Sequence, residues 1–425
     1  MKRNGPLLYV SIVIIAAVVF QIYLQLRLEL HDPTAAFKFF ASRSELTIDD
    51  LNKTHNFIVH QFRSHLLSIL GSAVLTLCLI WRKAIPWCLE SISSSVKSRY
   101  IKTLIVIGGL IFLQCSVDSV TDLVTGELYS AMDFTYDLRN ELEKKLLLGS
   151  FIYAFVAIFG RFTLLTFPLM ITPVYFAFYL LLISHISKKF EPMDWSSEHG
   201  KVFAAFLEKV GYPKSRFFVG KKGLDDNAFY AGSFGTEKDS IVVVAASFIE
   251  KFSPREVLAV VAHELGHWAD NIGLKLLFFY VFFAFAVVYV LLVFLSRKKF
   301  AEYFFGTEEE GDSEKEVKKK GWLYRLMPEK ITPMHVTLTA ILFFNQILFY
   351  FNVNKNLTLQ FAEFRADDDA ANHGLHQELS SFLIKQAAMT NASLDPLFES
   401  FSLSHPCIER RVKKLLGMKS LNTSA

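Results

Sequence analysis

The feature that most constrains this chain is a set of apolar runs, each long enough to cross a lipid bilayer. A transmembrane helix needs about 20 largely apolar residues. Seven segments qualify: Leu7–Leu26, Leu66–Trp87, Ile101–Val120, Leu146–Phe159, Leu164–Ile186, Leu274–Leu295 and Met334–Val353. Because charged stretches separate these segments, we predict a mostly α-helical integral membrane protein with about seven transmembrane helices.

Composition agrees with a membrane protein and excludes other classes. Hydrophobic residues make up 52% of the 425 residues and charged residues 20%, whereas ordinary globular chains carry about 25% charged residues. The net charge of +4 and the lack of a basic patch with interleaved aromatic residues argue against a nucleic-acid partner. The four cysteines form no CxxC pair, which indicates buried thiols rather than a disulfide framework or a zinc knuckle.

The first apolar run could instead be a signal peptide, because Lys2 and Arg3 precede it. Its apolar core exceeds the usual length of 7–15 residues, and no small-x-small cleavage site follows, so we interpret it as a retained span.

Polar stretches divide the chain into four predicted parts. They are an N-terminal membrane region (1–187) with about five spans, a part with a small β-sheet (188–273), two spans joined by a charged loop at 296–332 (274–353), and a C-terminal helical part (354–425). In the second part we predict a helix over Ser197–Val210 and strands over Arg216–Gly220, Asn227–Phe234 and Ile241–Ser247. In the last part, Pro406–Leu416 is predicted to be helical.

The most informative motif is a capped helix over residues 253–268. Ser253 and Glu256 have the spacing of a capping box, and Pro254 suits the first helical position. The apolar run 257–262 predicts that this helix is buried.

Within that helix lies an HExxH sequence. His263 and His267 are four residues apart, so they share a helix face, and both imidazoles can reach one tetrahedral Zn²⁺. Glu264 is rotated about 100° from His263 and can reach a water bound to the metal, as a metalloprotease general base does. Buried histidines and glutamate without partners would be unfavourable, and a metal compensates for their burial.

A catalytic zinc takes a third protein ligand and keeps its fourth position for water. The candidates are Glu363, His373 and His405. Spacing favours Glu363, because Asp367 follows it on the same helix face and could accept a hydrogen bond from a ligand imidazole.

Four motifs together resemble the type I CaaX prenyl protease family, the integral-membrane zinc proteases of the gluzincin group. In chain order they are Asn227-Ala-Phe-Tyr-Ala-Gly232, His263-Glu-Leu-Gly-His-Trp268, Glu363-Phe-Arg-Ala-Asp367 and Ser404-His-Pro-Cys-Ile-Glu-Arg410. The resemblance covers residues 186–416. It implies seven spans that enclose a chamber and a gluzincin-type domain that carries a small β-sheet.

The resemblance also implies an activity and a metal centre. The chain is expected to be a zinc-dependent endopeptidase that cleaves near the C-terminus of prenylated proteins or peptides, with one Zn²⁺ per chain. The resemblance implies that His263, His267 and Glu363 are the metal ligands and that Glu264 is the catalytic base that activates zinc-bound water. Asp367 would accept a hydrogen bond from a ligand imidazole.

Further residues receive roles from the same resemblance. Asn227, with Ala228 and Phe229, would bind substrate backbone along an edge strand, although Asn227 also fits a turn. His405 would donate a hydrogen bond to the tetrahedral oxyanion, although it also fits a cap of the last helix. Arg410 would brace the acidic residues near the metal.

Two other functions fit parts of the sequence. A quality-control membrane protease would need no prenyl group, but such relatives typically have four spans. A transporter or scaffold with a structural zinc would need four protein ligands and no acid beside the first histidine. Two spans separate the histidines from Glu363, so both lie on one membrane face. The resemblance implies the cytosolic face of the endoplasmic reticulum membrane.

Overall fold

In a computed structural model, the chain folds into two compact units. The structure describes residues 5–125, 131–163, 190–220, 231–234, 241–295 and 332–417, with short stretches between 165 and 181 and residue 304. The first unit comprises Met1–Gln25, Gln61–Ile171 and Val281–Phe351. The second unit comprises Leu26–His60, Thr172–Tyr280 and Asn352–Ala425.

Helices dominate the described residues. They are α1 (Gly5–Glu29), α2 (Thr34–Ala41), α3 (Ile48–Trp81), α4 (Ala84–Ser93), α5 (Arg99–Thr125), α6 (Ala131–Phe159), α7 (Glu198–Val210), α8 (Ala246–Lys251), α9 (Pro254–Ala269), α10 (Ile272–Leu295), α11 (Pro333–Leu342), α12 (Phe344–Asn372), α13 (His376–Lys385), α14 (Pro396–Ser402) and α15 (Ile408–Leu415). The strands are β1 (Phe190–Pro192), β2 (Phe217–Gly220), β3 (Ala231–Phe234) and β4 (Ile241–Val244). The predicted class, mostly helical with a small sheet, is confirmed.

Four of the described helices are long and apolar enough to cross a membrane, and the number rises to five if a bent helix pair counts as one span. The four spans lie in α1, α3, α5 and α10, where the sequence predicted its first, second, third and sixth spans. In α10 only 6% of the most apolar window is buried within the protein. So much exposed apolar surface needs lipid to cover it, and the chain is an integral membrane protein.

The other three predicted spans have different outcomes. Leu146–Phe159 forms the end of α6 and is not among the candidate spans, because charged residues at 143–145 leave the apolar run too short. Leu164–Ile186 lies largely outside the described residues, so the total of seven spans stays a prediction. Met334–Val353 was predicted as one span, and in the structure it falls on α11 and α12, which pass the span test together but are bent by 61° where they meet.

Several boundaries also differ from the sequence prediction. The last helix is Ile408–Leu415 rather than Pro406–Leu416, and the first predicted strand begins at Phe217 rather than Arg216. The second span ends at Trp81 rather than Trp87, because Lys83 adopts a left-handed conformation with a φ of 51°. The last strand ends at Val244 rather than Ser247, because α8 begins at Ala246.

The sheet of the second unit contains four described strands in the order β1-β2-β4-β3. β4 pairs in parallel with β2 and antiparallel with β3, and all four of its residues are buried. β1, which the sequence analysis did not predict, pairs antiparallel with β2. The core beneath combines Val242 and Val244 with apolar residues of α7, α9, α13 and α15, including Phe203, Val257 and Val412.

The helix that carries the HExxH sequence begins as predicted. Ser253 accepts a hydrogen bond from the backbone of Glu256, and the Glu256 side chain accepts one from the backbone of Ser253. The Glu256 carboxylate also accepts hydrogen bonds from Ser381 and Lys385 of α13. These contacts fix the start of α9 in the second unit.

Gly266 lets α9 approach α12 closely. A Cβ atom at Gly266 would stand 2.9 Å from the Cα of Ala366 and 3.1 Å from the Cβ of Asp369. Contacts with backbone and with Cβ atoms cannot be relieved by a rotamer change, so the missing side chain is a packing requirement.

We therefore expect Gly266→Ala to lower the melting temperature of the full-length protein in detergent. Alanine favours helix by about 1 kcal/mol over glycine, but overpacking costs about 1–3 kcal/mol. The matched control is Gly108→Ala within α5, where a new Cβ would meet no atom of the described residues within 4 Å. Gly108→Ala should raise the melting temperature or leave it unchanged. A rise of similar size in both variants would contradict the packing argument.

Candidate metal centre

Helices α9 and α12 bring two histidines and a glutamate to one point. His263 and His267 are one turn apart on α9, with ring centroids separated by 4.7 Å. The Nε2 atom of His263 lies 3.4 Å from Glu363 Oε2, and the Nε2 atom of His267 lies 3.2 Å from Glu363 Oε1. Their ligand atoms all lie within 4.8 Å of one another.

This arrangement fits a divalent metal such as zinc. Two ligand atoms at 2.0–2.1 Å from one tetrahedral ion are separated by about 3.3 Å, close to both nitrogen–oxygen distances above. Glu363 Oε2 is buried, yet it accepts no hydrogen bond from any residue that the structure describes. Two imidazoles and a carboxylate are also the donor set that zinc prefers.

The other ring nitrogen of His263 faces a second carboxylate. His263 Nδ1 lies 3.0 Å from Asp367 Oδ1, and the Asp367 side chain is fully buried. A hydrogen bond from Nδ1 to a carboxylate leaves the lone pair of Nε2 directed at the metal position. The structure thus brings Asp367 to the side of His263 that the sequence spacing suggested.

Arg411 of α15 joins this cluster and had not been predicted. Its guanidinium donates to both carboxylate oxygens of Asp367, at 2.6 and 2.9 Å, and Nη1 lies 3.3 Å from Glu363 Oε2. Arg410, to which the sequence analysis gave this position, instead pairs with Glu399 at 2.5 Å. The bracing arginine at the centre is therefore Arg411, because successive helical residues differ in direction by about 100°.

A sequence signal for Arg411 was present in the apolar pattern. Ile408, Val412 and Leu415 form the buried stripe of α15, and Arg411 shares that face. A charged residue on a buried stripe needs a buried partner of opposite charge, which Asp367 supplies.

The electrostatics of the cluster favour a bound cation. Burial works to lower the pKa of His263, but the Asp367 and Glu363 carboxylates outweigh it and raise this pKa to about 10. Arg411 is paired bidentately with Asp367 and also lies 3.3 Å from Glu363 Oε2, and Glu363 faces the two imidazoles as well. A divalent cation at this point would supply the positive charge that the carboxylates favour.

Two further predicted residues lie at the centre. Glu264 follows His263 directly on α9 and is partly exposed, whereas His263 is buried. His405, in the loop between α14 and α15, has its Nε2 atom 3.3 Å from Glu363 Oε1 and a side chain that is 66% exposed. An acid and an imidazole thus flank the candidate ligands on accessible sides.

The remaining candidates lie elsewhere or outside the described residues. His373 hydrogen-bonds to the carbonyl of Asp369 and packs against Phe206, so it is not a member of the cluster. Asn227, Ala228 and Phe229 fall within 221–230, outside the described residues, and their roles stay predictions.

A sequence model of peptidase family M48 matches residues 197–419, just over half of the chain. This region contains three of the four described strands (β2, β3 and β4) together with α9, α12 and α15, and therefore every residue of the candidate metal centre.

Curated relatives are similar over a longer stretch. CAAX prenyl protease 1 of Saccharomyces cerevisiae is 23% identical over 284 residues, which cover 63% of this chain and 59% of that protein. CAAX prenyl protease 1 homolog of Dictyostelium discoideum is 25% identical over 247 residues, which cover 57% and 52%. The chain thus spans between about half and three fifths of the length of these relatives.

Among solved structures, the fold is similar to the crystal structure of S. mikatae Ste24p. The TM-score is 0.66 at 19% identity, and the match covers 97% of this chain and 99% of that one. The expected resemblance to the type I CaaX prenyl proteases is confirmed, and the chain belongs to peptidase family M48.

Proposed function

We propose that this protein is a zinc-dependent endopeptidase that cleaves near the C-terminus of prenylated proteins or peptides. The convergence of His263, His267 and Glu363 on one point, with Glu264 beside them, carries this proposal. One zinc ion per chain would be held by these three side chains. When bound, zinc polarises a carbonyl oxygen and lowers the pKa of water.

The chain's own residues divide the remaining work. Glu264 takes a proton from the attacking water and returns it to the leaving amine. His405 donates a hydrogen bond from Nε2 to the oxygen that becomes negative in the transition state. Asp367 orients His263 through Nδ1, and Arg411 holds Asp367 in place by its two hydrogen bonds.

The substrate backbone is proposed to bind at the edge of the sheet. β3 forms one edge of the described sheet and lies against α9. An extended peptide that pairs with β3 would therefore run along the helix that carries two of the candidate metal ligands. Asn227, Ala228 and Phe229, which precede β3 in the chain, are proposed to contribute to this binding.

The substrate class rests on the relatives and on the membrane setting. The similar curated proteins are named as CAAX prenyl proteases. An enzyme embedded in a bilayer suits a substrate that carries a lipid near a polar peptide end. We place the protein in the endoplasmic reticulum membrane with its site on the cytosolic side, as the family resemblance implies.

Two alternatives make different predictions. A quality-control protease would cleave without a prenyl requirement. A scaffold with a structural metal would need no acid in the place of Glu264.

The first prediction tests the substrate class. Purified full-length protein should cleave a farnesylated or geranylgeranylated CaaX peptide faster than the same peptide without the lipid, and mass spectrometry of the products should place the cut near the C-terminus. Equal rates with and without the lipid would favour the quality-control alternative.

Addition of the metal chelator phenanthroline should abolish cleavage. Activity that survives complete metal removal would contradict the zinc mechanism.

A second prediction separates catalyst from scaffold. Glu264→Gln keeps the size of the side chain and removes its basic oxygen, so cleavage should fall by at least about 10²–10⁴-fold. Elemental analysis and thermal unfolding of the same preparation should show retained zinc and an intact fold. Wild-type rates in this variant would remove Glu264 from the mechanism, and loss of zinc would favour the scaffold.

A third prediction compares two adjacent arginines. Arg411→Lys keeps a positive charge but loses the bidentate contact with Asp367, so zinc affinity should fall by about 10–100-fold. Arg410→Lys is the matched control, and its zinc affinity should equal that of the wild type. Competition with a zinc chelator of known affinity measures both. A larger loss in Arg410→Lys would reverse the assignment of the two residues.

A further inference from the structure

Helix α12 carries a buried polar stripe that extends beyond the candidate metal centre. Asn356, Gln360, Glu363 and Asp367 follow one another at intervals of four, three and four residues, so they lie along one helix face. Their exposed fractions are 5%, 5%, 6% and 0%. The last two belong to the metal centre, whereas the first two have no role in the mechanism described above.

The two amides of this stripe bind the C-terminal end of α14. Gln360 Nε2 donates to the carbonyl oxygens of Glu399 and Leu403, both at 2.7 Å. Asn356 Nδ2 donates to the carbonyl oxygen of Phe401 at 3.2 Å. The Glu399 carbonyl also accepts the backbone N–H of Leu403 at 3.0 Å. The last carbonyl groups of a helix lack partners within the helix, and at Phe401 and Leu403 the side chains of α12 donate to them.

This contact fixes the start of the loop that carries His405. Leu403 is the C-cap of α14, and His405 follows two residues later. At the other end of the loop, the backbone N–H groups of Ile408 and Glu409 donate to the carbonyls of Asn391 and Ala392. The segment 403–407 is thus held at both ends, with His405 Nε2 beside Glu363 Oε1 at 3.3 Å.

We propose that Gln360 is a positioning residue that sets the location of His405 relative to the metal ligands. Gln360 and Glu363 are three residues apart on one rigid helix, so the helix fixes both the ligand and the support of the loop. The Nε2 atom of Gln360 donates to the carbonyls of both Glu399 and Leu403, where the chain leaves α14 and continues to His405. The catalytic consequence rests on the function proposed above, whereas the structural consequence for the loop does not.

The test uses Gln360→Met in the full-length protein, because methionine keeps the length of the side chain and removes the donor. Hydrogen–deuterium exchange followed by mass spectrometry should become faster in peptides that cover 399–409. Exchange in peptides of α9 should stay as in the wild type. The matched control is Gln386→Met, which alters another buried glutamine of the same unit, at the end of α13. It should leave exchange at 399–409 unchanged.

Kinetics of the same variant, on the prenylated peptide, show whether Gln360 acts through His405. In Gln360→Met, kcat should fall by at least about 10-fold and by no more than in His405→Ala, for which about 10²–10³-fold is expected. KM and zinc content should stay close to the wild type. In the His405→Ala background, Gln360→Met should change kcat by less than about 2-fold, because the group that it positions is already missing.

Several results would overturn this proposal. Unchanged exchange at 399–409 in Gln360→Met would show that the glutamine does not hold the loop. An equal loss of kcat with and without His405 would show a general structural effect instead. If Gln360→Met does not fold, Asn356→Leu removes one contact with the same helix end and should give the same pattern at smaller amplitude; its failure would count equally against the proposal. Absence of cleavage by the wild type would contradict the proposed function, and the exchange comparison would still decide the role of Gln360.

Discussion

The close contact between α9 and α12 is the constraint on which the rest of the site depends. His263 and His267 come from one helix and Glu363 from another, nearly a hundred residues later in the chain. Side-chain reach is short, so the two backbones must approach until the imidazole and carboxylate atoms lie 3.2–3.4 Å apart. Gly266, one residue before His267, makes that approach possible because it has no Cβ atom to meet Ala366. Within the HExxH sequence, Gly266 thus permits close helix packing, whereas His263 and His267 are the candidate metal ligands.

The balance of buried charge is the second requirement. Asp367 and Glu363 are both buried, and an unpaired carboxylate in that position would be strongly unfavourable. Arg411 pairs with Asp367 through two hydrogen bonds, and the histidines face Glu363. Breaking such a buried pair by removing one partner costs about 3–5 kcal/mol, so the arginine also ties α15 to α12. One network therefore serves both the fold of the second unit and the orientation of a candidate ligand.

Helix α12 combines functions that the sequence analysis had assigned to separate segments. It begins at Phe344, within a segment predicted to be a simple membrane span, and continues to Asn372 without interruption. A bend of 61° separates it from α11. Continuous hydrogen bonding along the helix gives Glu363, Asp367 and Gln360 a fixed spacing, which loops would not provide.

Local spacing determined much of this protein from its sequence alone. The capped start of α9, the shared face of His263 and His267, and four of the spans follow from periodicities within one helix, and the structure confirms them. Tertiary structure decided what depends on contacts between distant segments. The choice of Arg411 over Arg410 and the hydrogen bonds of Gln360 to α14 both depend on where another helix packs. Sequence periodicity gives the direction of a side chain from its own helix, whereas its partner is set by the packing of other helices.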